Sequence, residues 1–326
     1  MILPYTLRLL CLCFATFFLI HAALSAAVWA SSSAMIRLGE SMRPRFAARL
    51  LLALRLSPLA LALFAVAAFC IPSYLWLEPG ATSEQVGTLC VIAAILGLAT
   101  WFSSIVRVAS AWRTSLRLQR QWERGSLGKR IAGGASPLLV VPSEAPLLAL
   151  TGILRPRIFV ANRLLNALPP EQLDAALRHE HAHYASHDNL KRLLLLFAPG
   201  MFPFLRRFPV VDRSWARFAE LAADDHAAAG DSYRSLSLAA ALVRAAQLGA
   251  APGISPFASS LLASGRDLSE RVDRLLGVKS PARPPRKGTR ALFAVATLAA
   301  LALLVVVLAR PETFYSIHSL LERFIH

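Results

Sequence analysis

Four stretches of this chain are apolar for about the 20 residues that a helix needs to cross a bilayer: Tyr5–Trp29, Leu56–Leu77, Val86–Val106 and Ala291–Leu308. Lipid offers the backbone no hydrogen-bond partners, so such stretches must fold as helices. With 56% of its 326 residues hydrophobic, the chain is too apolar for an ordinary soluble domain. A fifth apolar run, Leu193–Leu205, is too short to span and is broken by Pro199, Gly200 and Pro203. It reads as core, or as a segment dipping into the membrane interface. All four cysteines (Cys11, Cys13, Cys70, Cys90) fall inside the apolar stretches, so they are expected to pack rather than to form disulfides or bind metal.

The net charge of +16 is concentrated beside these stretches. Arg37, Arg43, Arg45 and Arg49 follow the first; Arg107, Arg113, Arg117, Arg120 and Arg124 follow the third; Arg283, Arg286, Lys287 and Arg290 precede the fourth. The loop between the second and third carries only Glu78 and Glu84. The positive-inside rule then places the N-terminus outside a bacterial-type inner (plasma) membrane and the long central segment in the cytoplasm. Arg113, Arg117, Arg120 and Arg124 repeat at helical spacing, as in a juxtamembrane helix lying on anionic lipid. No nucleic-acid motif accompanies the charge, so no direct nucleic-acid partner is expected. Val28-Trp29-Ala30 resembles a signal cleavage site, but no Lys or Arg precedes Arg8, and the arginines after Trp29 would have to cross the membrane; a retained span is expected.

The expected plan is three transmembrane helices over residues 1–106, a basic juxtamembrane helix over 107–136, a soluble domain over 137–278, a Pro-rich basic linker over 279–290, a fourth transmembrane helix over 291–309 and a short tail over 310–326. Within the central domain, Leu138–Val141, Leu147–Leu150 and Arg157–Val160 are short apolar runs between turn residues and predict a small sheet. From Pro170 the pattern is helical, with further helices expected around Ser214–Ala229 and Ser235–Leu248.

The first of these helices carries His179-Glu180-His181-Ala182-His183, an HExxH sequence. Residues i and i+4 share a helix face, so His179 and His183 can reach one metal ion, and Glu180 beside them can take a proton from an attacking water. His181 lies about 200° around the helix from His179 and should face away. A catalytic zinc site needs a third protein ligand. Asn189 stands where one class of enzymes supplies a third His, so the other common solution, a Glu from a later helix, is expected. Glu220, in Phe218-Ala219-Glu220-Leu221-Ala222-Ala223-Asp224, is the best candidate, because an unpaired carboxylate on an apolar helix is costly. Asp224 lies one turn on and can hydrogen-bond the second nitrogen of a ligating His. Asp188 either caps the helix starting at Asn189 or orients a ligand; His226 either stabilises an oxyanion or lies on the surface. The expectation is one Zn2+ per chain, metal-assisted hydrolysis of a peptide bond in a protein substrate, and strand addition of that substrate to one of the short strands.

The order of three spans, HExxH domain and one span resembles the BlaR/MecR-type membrane metallopeptidases. Gly152-Ile153-Leu154-Arg155-Pro156-Arg157-Ile158 precedes the HExxH helix as in that family, and Asp188-Asn189 follows it at the family's spacing. Glu220-Leu221-Ala222-Ala223-Asp224-Asp225 is similar to its ExxCD motif, with Ala223 where Cys is common, and Arg271-Val272-Asp273-Arg274-Leu275-Leu276 resembles its closing helix. The resemblance implies a multi-pass α-helical membrane protein with four transmembrane helices and an inserted α+β, gluzincin-like zincin domain. It implies His179, His183 and Glu220 as ligands, Glu180 as the catalytic residue, and regulatory proteolysis of a cytoplasmic repressor or of the chain's own linker. Only about 17 residues follow the last span, too few for the family's penicillin-binding sensor domain. Two other readings are an HtpX- or CAAX-type membrane protease, the former with two spans on each side of its protease domain, and a catalytically silent membrane scaffold.

Overall fold

In the computed structural model, residues 4–77, 86–125, 138–142, 148–153, 156–200, 208–249, 259–260, 265–277 and 319 are described. The expected linker and fourth span lie outside them, as does the tail apart from Ser319. The protein is mostly helical, with a small sheet. Three helices are long and apolar enough to cross a membrane: Tyr5–Glu40, Pro44–Leu77 and Thr88–Gly125. These helices indicate a membrane protein.

Helix α1 (Tyr5–Glu40) has 36 residues, about 54 Å at 1.5 Å per residue and well beyond the ~30 Å hydrocarbon layer. After the connecting residues 41–43, Pro44 opens α2 (Pro44–Ala65) at the first helical position, where its missing N–H is harmless. A π turn at Val66–Cys70 leads into α3 (Ile71–Leu77). Helix α4 (Thr88–Gly125) returns beside α1. The two backbones approach so closely at Gly97 that an added Cβ would stand 2.3 Å from the Phe14 carbonyl oxygen, so this contact requires glycine.

Of the basic juxtamembrane helix expected over 107–136, residues 107–125 are helical and form the second half of α4, continuous with the third apolar stretch; residues 126–136 lie outside the described residues. No Gly or Pro stands between Val106 and Gly125 to break the helix, and Ala, Leu, Arg and Gln favour its continuation. Trp122, near its end, packs on Phe159 of the sheet, with ring centroids 5.4 Å apart.

The sheet contains β1 (Leu138–Val141), β2 (Leu148–Thr151), β3 (Arg157–Ala161) and the two-residue β4 (Ser259–Ser260), in the order β1-β3-β2-β4. β3 is parallel to β1 and antiparallel to β2; β4 adds antiparallel to the other edge of β2, with Leu150 opposite Ser259. The short helix α5 (Asn162–Ala167) leads to α6 (Pro170–Ala185), α7 (Asp188–Phe197), α8 (Pro209–Ala228), α9 (Ser232–Gln247) and α10 (Gly265–Leu275). Leu148, Leu150, Ile158 and Val160 pack with Ala176 of α6 and with Leu238 and Leu242 of α9 into one core. Asp231 caps α9 by accepting from the Tyr233 and Arg234 amides.

A second apolar cluster joins this unit to the long helices. Val28, Ala47 and Leu51 of α1 and α2 pack against Val211, Trp215, Phe218 and Leu221 of α8. Arg55 of α2 locks the joint: its Nη2 donates to the Ala198 carbonyl at 2.9 Å, its Nε lies 3.3 Å from Asp212 Oδ1, and its guanidinium covers the Phe208 ring. Arg55 is 1% exposed, whereas Asp212 is 23% exposed and can be rehydrated. Breaking this pair should therefore cost less than a fully buried one, about 2–3 kcal/mol. Arg55→Met is expected to lower the thermal unfolding midpoint of the detergent-solubilised chain; an unchanged midpoint would show that the apolar cluster alone holds the joint.

Candidate metal centre

Helix α6 starts cleanly because Pro170 occupies its first position and Glu171 its first turn. Its inward face carries Ala175, Ala176, His179, Glu180 and His183. Small alanines beside the histidines let α8 cross closely and bring Glu220 onto the same point. One ligand atom each from His179, His183 and Glu220 lies within 4.8 Å of the others, and all three residues are buried. Among the residues singled out from the sequence, these three converge.

The spacings fit a small divalent ion. The two Nε2 atoms are 3.2 Å apart, His179 Nε2 is 3.3 Å from Glu220 Oε2, and His183 Nε2 is 3.5 Å from Glu220 Oε1. Two donors each about 2.1 Å from a tetrahedral ion stand roughly 3.4 Å apart. Neither Glu220 oxygen accepts a well-aligned hydrogen bond among the described residues. Buried acceptors facing one another in this way are expensive unless a cation lies between them. The group could therefore hold a metal ion.

Each histidine is backed by an acid, and each acid by a base. His183 Nδ1 donates to Asp188 Oδ2 at 2.7 Å, and Lys191 Nζ donates to Asp188 Oδ1 at 2.7 Å. His179 Nδ1 lies 2.9 Å from Asp224 Oδ1, and Asp224 receives the Arg271 guanidinium through Nε and Nη2, both at 2.7 Å. The Asp188 hydrogen bond fixes the Nδ1–H tautomer of His183, the nearby Asp224 carboxylate favours the same tautomer in His179, and both Nε2 atoms face inward. The sequence left two roles open for Asp188. It lies in the first turn of α7, whose N-cap is the left-handed His187, and it orients His183. His181 faces away and donates to the Leu177 carbonyl, while His187 and His226 are exposed and outside the cluster.

Arg271 and Arg192 are site residues that the sequence reading missed. Arg271 Nη1 is 3.3 Å from Glu220 Oε2, and Arg192 Nη2 is 3.6 Å from Glu220 Oε1. Arg271 carries a usable signal: it falls three residues after Leu268 and four before Leu275, on the apolar face of α10, where an arginine needs buried acids. Arg192 carries none, since Lys191-Arg192 reads as an ordinary helix surface. Asn189 was also missed. Its Nδ2 donates to the Gly152 and Leu150 carbonyls and ties the end of β2 to α7.

Glu180 is fully buried beside the ligands and accepts the Leu150 amide at 3.0 Å. Burial pushes its carboxyl above the usual range, and the two imidazoles pull it back only in part. Glu220 is shifted the other way. Burial alone would raise it, but the charges of His183 and Arg271 hold it well below the usual carboxylate range. Asp224 is brought down to about 2, because Arg271 outweighs burial. For His183, burial favours the neutral ring, yet Glu220 and Asp188 outweigh it and push the pKa up to about 10.

No family model matches the chain, and no curated protein matches it either.

Two outcomes follow from this geometry. A proton on His183 competes with a metal ion, so raising the pH removes the competitor and strengthens binding. Between pH 6 and 8, chelator competition should show about a tenfold gain in affinity per pH unit for each proton displaced; a flat profile would mean that His183 is already neutral. Asp224→Ala should weaken binding about 10–100-fold through loss of its hold on His179, measured by the same competition.

Proposed function

We propose that this protein is a membrane-embedded zinc endopeptidase that hydrolyses peptide bonds of a protein substrate. The observation that carries this reading is the convergence of His179 Nε2, His183 Nε2 and the Glu220 carboxylate on one buried point, with Glu180 on the same helix turn. Two nitrogens and one carboxylate oxygen suit zinc, and three protein ligands leave a position for chemistry. Zinc held there supplies polarisation of the scissile carbonyl and brings the pKa of a water toward about 7.

The chain's own residues do the rest. Glu180 takes a proton from the attacking water as its oxygen bonds to the carbonyl carbon and the π pair moves onto the carbonyl oxygen. When that pair returns, the C–N bond breaks and Glu180 delivers the proton to the leaving nitrogen, giving a carboxylic acid and an amine; the acid's remaining proton then passes to the amine, leaving a carboxylate and an ammonium. Burial suits Glu180 to both steps, because a carboxyl raised above its ordinary range is a stronger base and can carry the proton between them. Both edges of β2 are already paired, to β3 and to Ser259–Ser260, so strand addition of an extended substrate falls to an outer strand, β1 or β4.

The three apolar helices before the site favour the BlaR/MecR-type plan over the HtpX type, which has two there. By that resemblance the work is regulatory proteolysis in signal transduction, with a cytoplasmic repressor or the chain's own 280–289 segment as substrate and the domain on the cytoplasmic side of a plasma membrane.

Detergent-purified wild type is expected to contain about one zinc per chain, and Glu220→Ala to lose most of it. Glu180→Gln should keep the zinc and lose proteolysis by at least about 100-fold. Wild type without zinc, or an undiminished Glu180→Gln, would remove the peptidase reading and leave the scaffold.

A further inference from the structure

Two guanidiniums flank the Glu220 carboxylate, and they are not equivalent. On one side Oε2 lies between His179 Nε2 and Arg271; on the other Oε1 lies between His183 Nε2 and Arg192. Arg271 is 4% exposed, and all three of its nitrogens are engaged, Nε and Nη2 by Asp224 and Nη1 by Glu220. Its donors are committed to holding the ligands in place. Arg192 is 14% exposed, and among the described residues its one ion contact is the 3.6 Å approach to Glu220, longer than a hydrogen bond. Its remaining N–H groups are therefore available.

Access points the same way. The two histidines are 0% exposed and Glu220 is 5% exposed. Among the described charged groups within ion-pair distance of the two histidines or Glu220, Arg192 has the largest exposed share. It is also held at its root: α7 is fixed to α6 by the Asp188–His183 hydrogen bond one turn earlier, and to β2 by Asn189. A cation on a fixed helix, beside a ligand atom and partly exposed, is placed to meet negative charge that develops on a bound molecule.

We infer that Arg192 is a catalytic residue of the proposed peptidase. It donates to the scissile carbonyl oxygen as that oxygen takes up the π pair, while Arg271 is a positioning residue that acts through Asp224 and Glu220. The inference rests on the peptidase reading above. It assigns the two arginines separable consequences: loss of Arg192 should weaken recognition of a tetrahedral anion and spare the metal, whereas loss of Arg271 should loosen the metal.

The test uses the full chain in detergent, with zinc content and affinity for a peptidyl phosphonate as readouts, since the tetrahedral phosphorus anion resembles the charged adduct. Wild type is compared with Arg192→Gln, Arg192→Lys and Arg271→Lys. Arg192→Gln should retain the wild-type zinc content and bind the phosphonate at least about 30-fold more weakly, with Arg192→Lys recovering part of the loss. Arg271→Lys should instead shed zinc during dialysis against a chelator. Phosphonate affinity unchanged in Arg192→Gln would overturn the inference. So would zinc loss in that variant comparable to that of Arg271→Lys, because Arg192 would then merely balance Glu220. Wild type without zinc would remove the peptidase reading itself, and this role with it.

Discussion

The arrangement depends on a buried electrostatic demand: Glu180, Asp188, Glu220 and Asp224 are all at most 5% exposed and lie around two buried imidazoles. Removing even one carboxylate from water is expensive, by several kcal/mol after relaxation. Lys191, Arg192 and Arg271 touch this group, so four acids face three fixed cations, and without a metal ion a proton on His183 makes up the difference. The deficit falls at the point where the Nε2 lone pairs and Glu220 converge. A cation there completes the charge balance and satisfies the acceptors together. The rise of His183 and the fall of Glu220 have the same origin, since the acids draw positive charge toward the imidazoles and the cations hold Glu220 ionised.

That demand explains which elements had to be brought together. Helix α6 alone offers two imidazoles; α8 adds Glu220 and Asp224; the start of α7 adds Asp188 and Lys191; α10 adds Arg271; β2 adds the Leu150 amide. Each contributes an atom to a neighbour's contributor, so the parts are interdependent. Glu270, the neighbour of Arg271, pairs with Arg217 of α8, and Arg217 also reaches Glu40 at the end of α1. Arg274 pairs with Asp225 at 2.9 Å. Helix α10 is thus fastened by charge on one face and by Leu268, Val272 and Leu275 on the other.

Much of this was legible in the sequence because it is periodic or local. The i, i+4 spacing of His179 and His183 is a helix property, and the cost of Glu220 and Asp224 on an apolar helix followed from composition alone. β1 falls on the expected Leu138–Val141, and β2 and β3 shift by at most one residue at an end. What was not legible depends on long-range pairing. Nothing near Arg192 announces Glu220, because the contact is made by the crossing of α7 and α8. The order β1-β3-β2-β4 could not be read from three apolar runs, and β4 carries only two serines. The continuity of α4 from the third apolar stretch through residues 107–125 was not legible either, because charge alone does not end a helix.

The position of the site relative to the long helices follows from the same contacts. Phe197, the last residue of α7, meets Trp101 of α4 at 5.5 Å between ring centroids, and Trp101 lies within the third apolar stretch. The next residue, Ala198, gives its carbonyl to Arg55 of α2. The helix that starts by orienting a candidate metal ligand therefore ends against two candidate spans, ten residues or about 15 Å later. Tilt or separation of α2 and α4 would be transmitted through Phe197 and Ala198 to the start of α7, where the 2.7 Å Asp188–His183 hydrogen bond fixes a ring. A packed helix with both ends held moves as a unit rather than bending freely. The candidate metal centre and the three long apolar helices are in this way parts of one packed body.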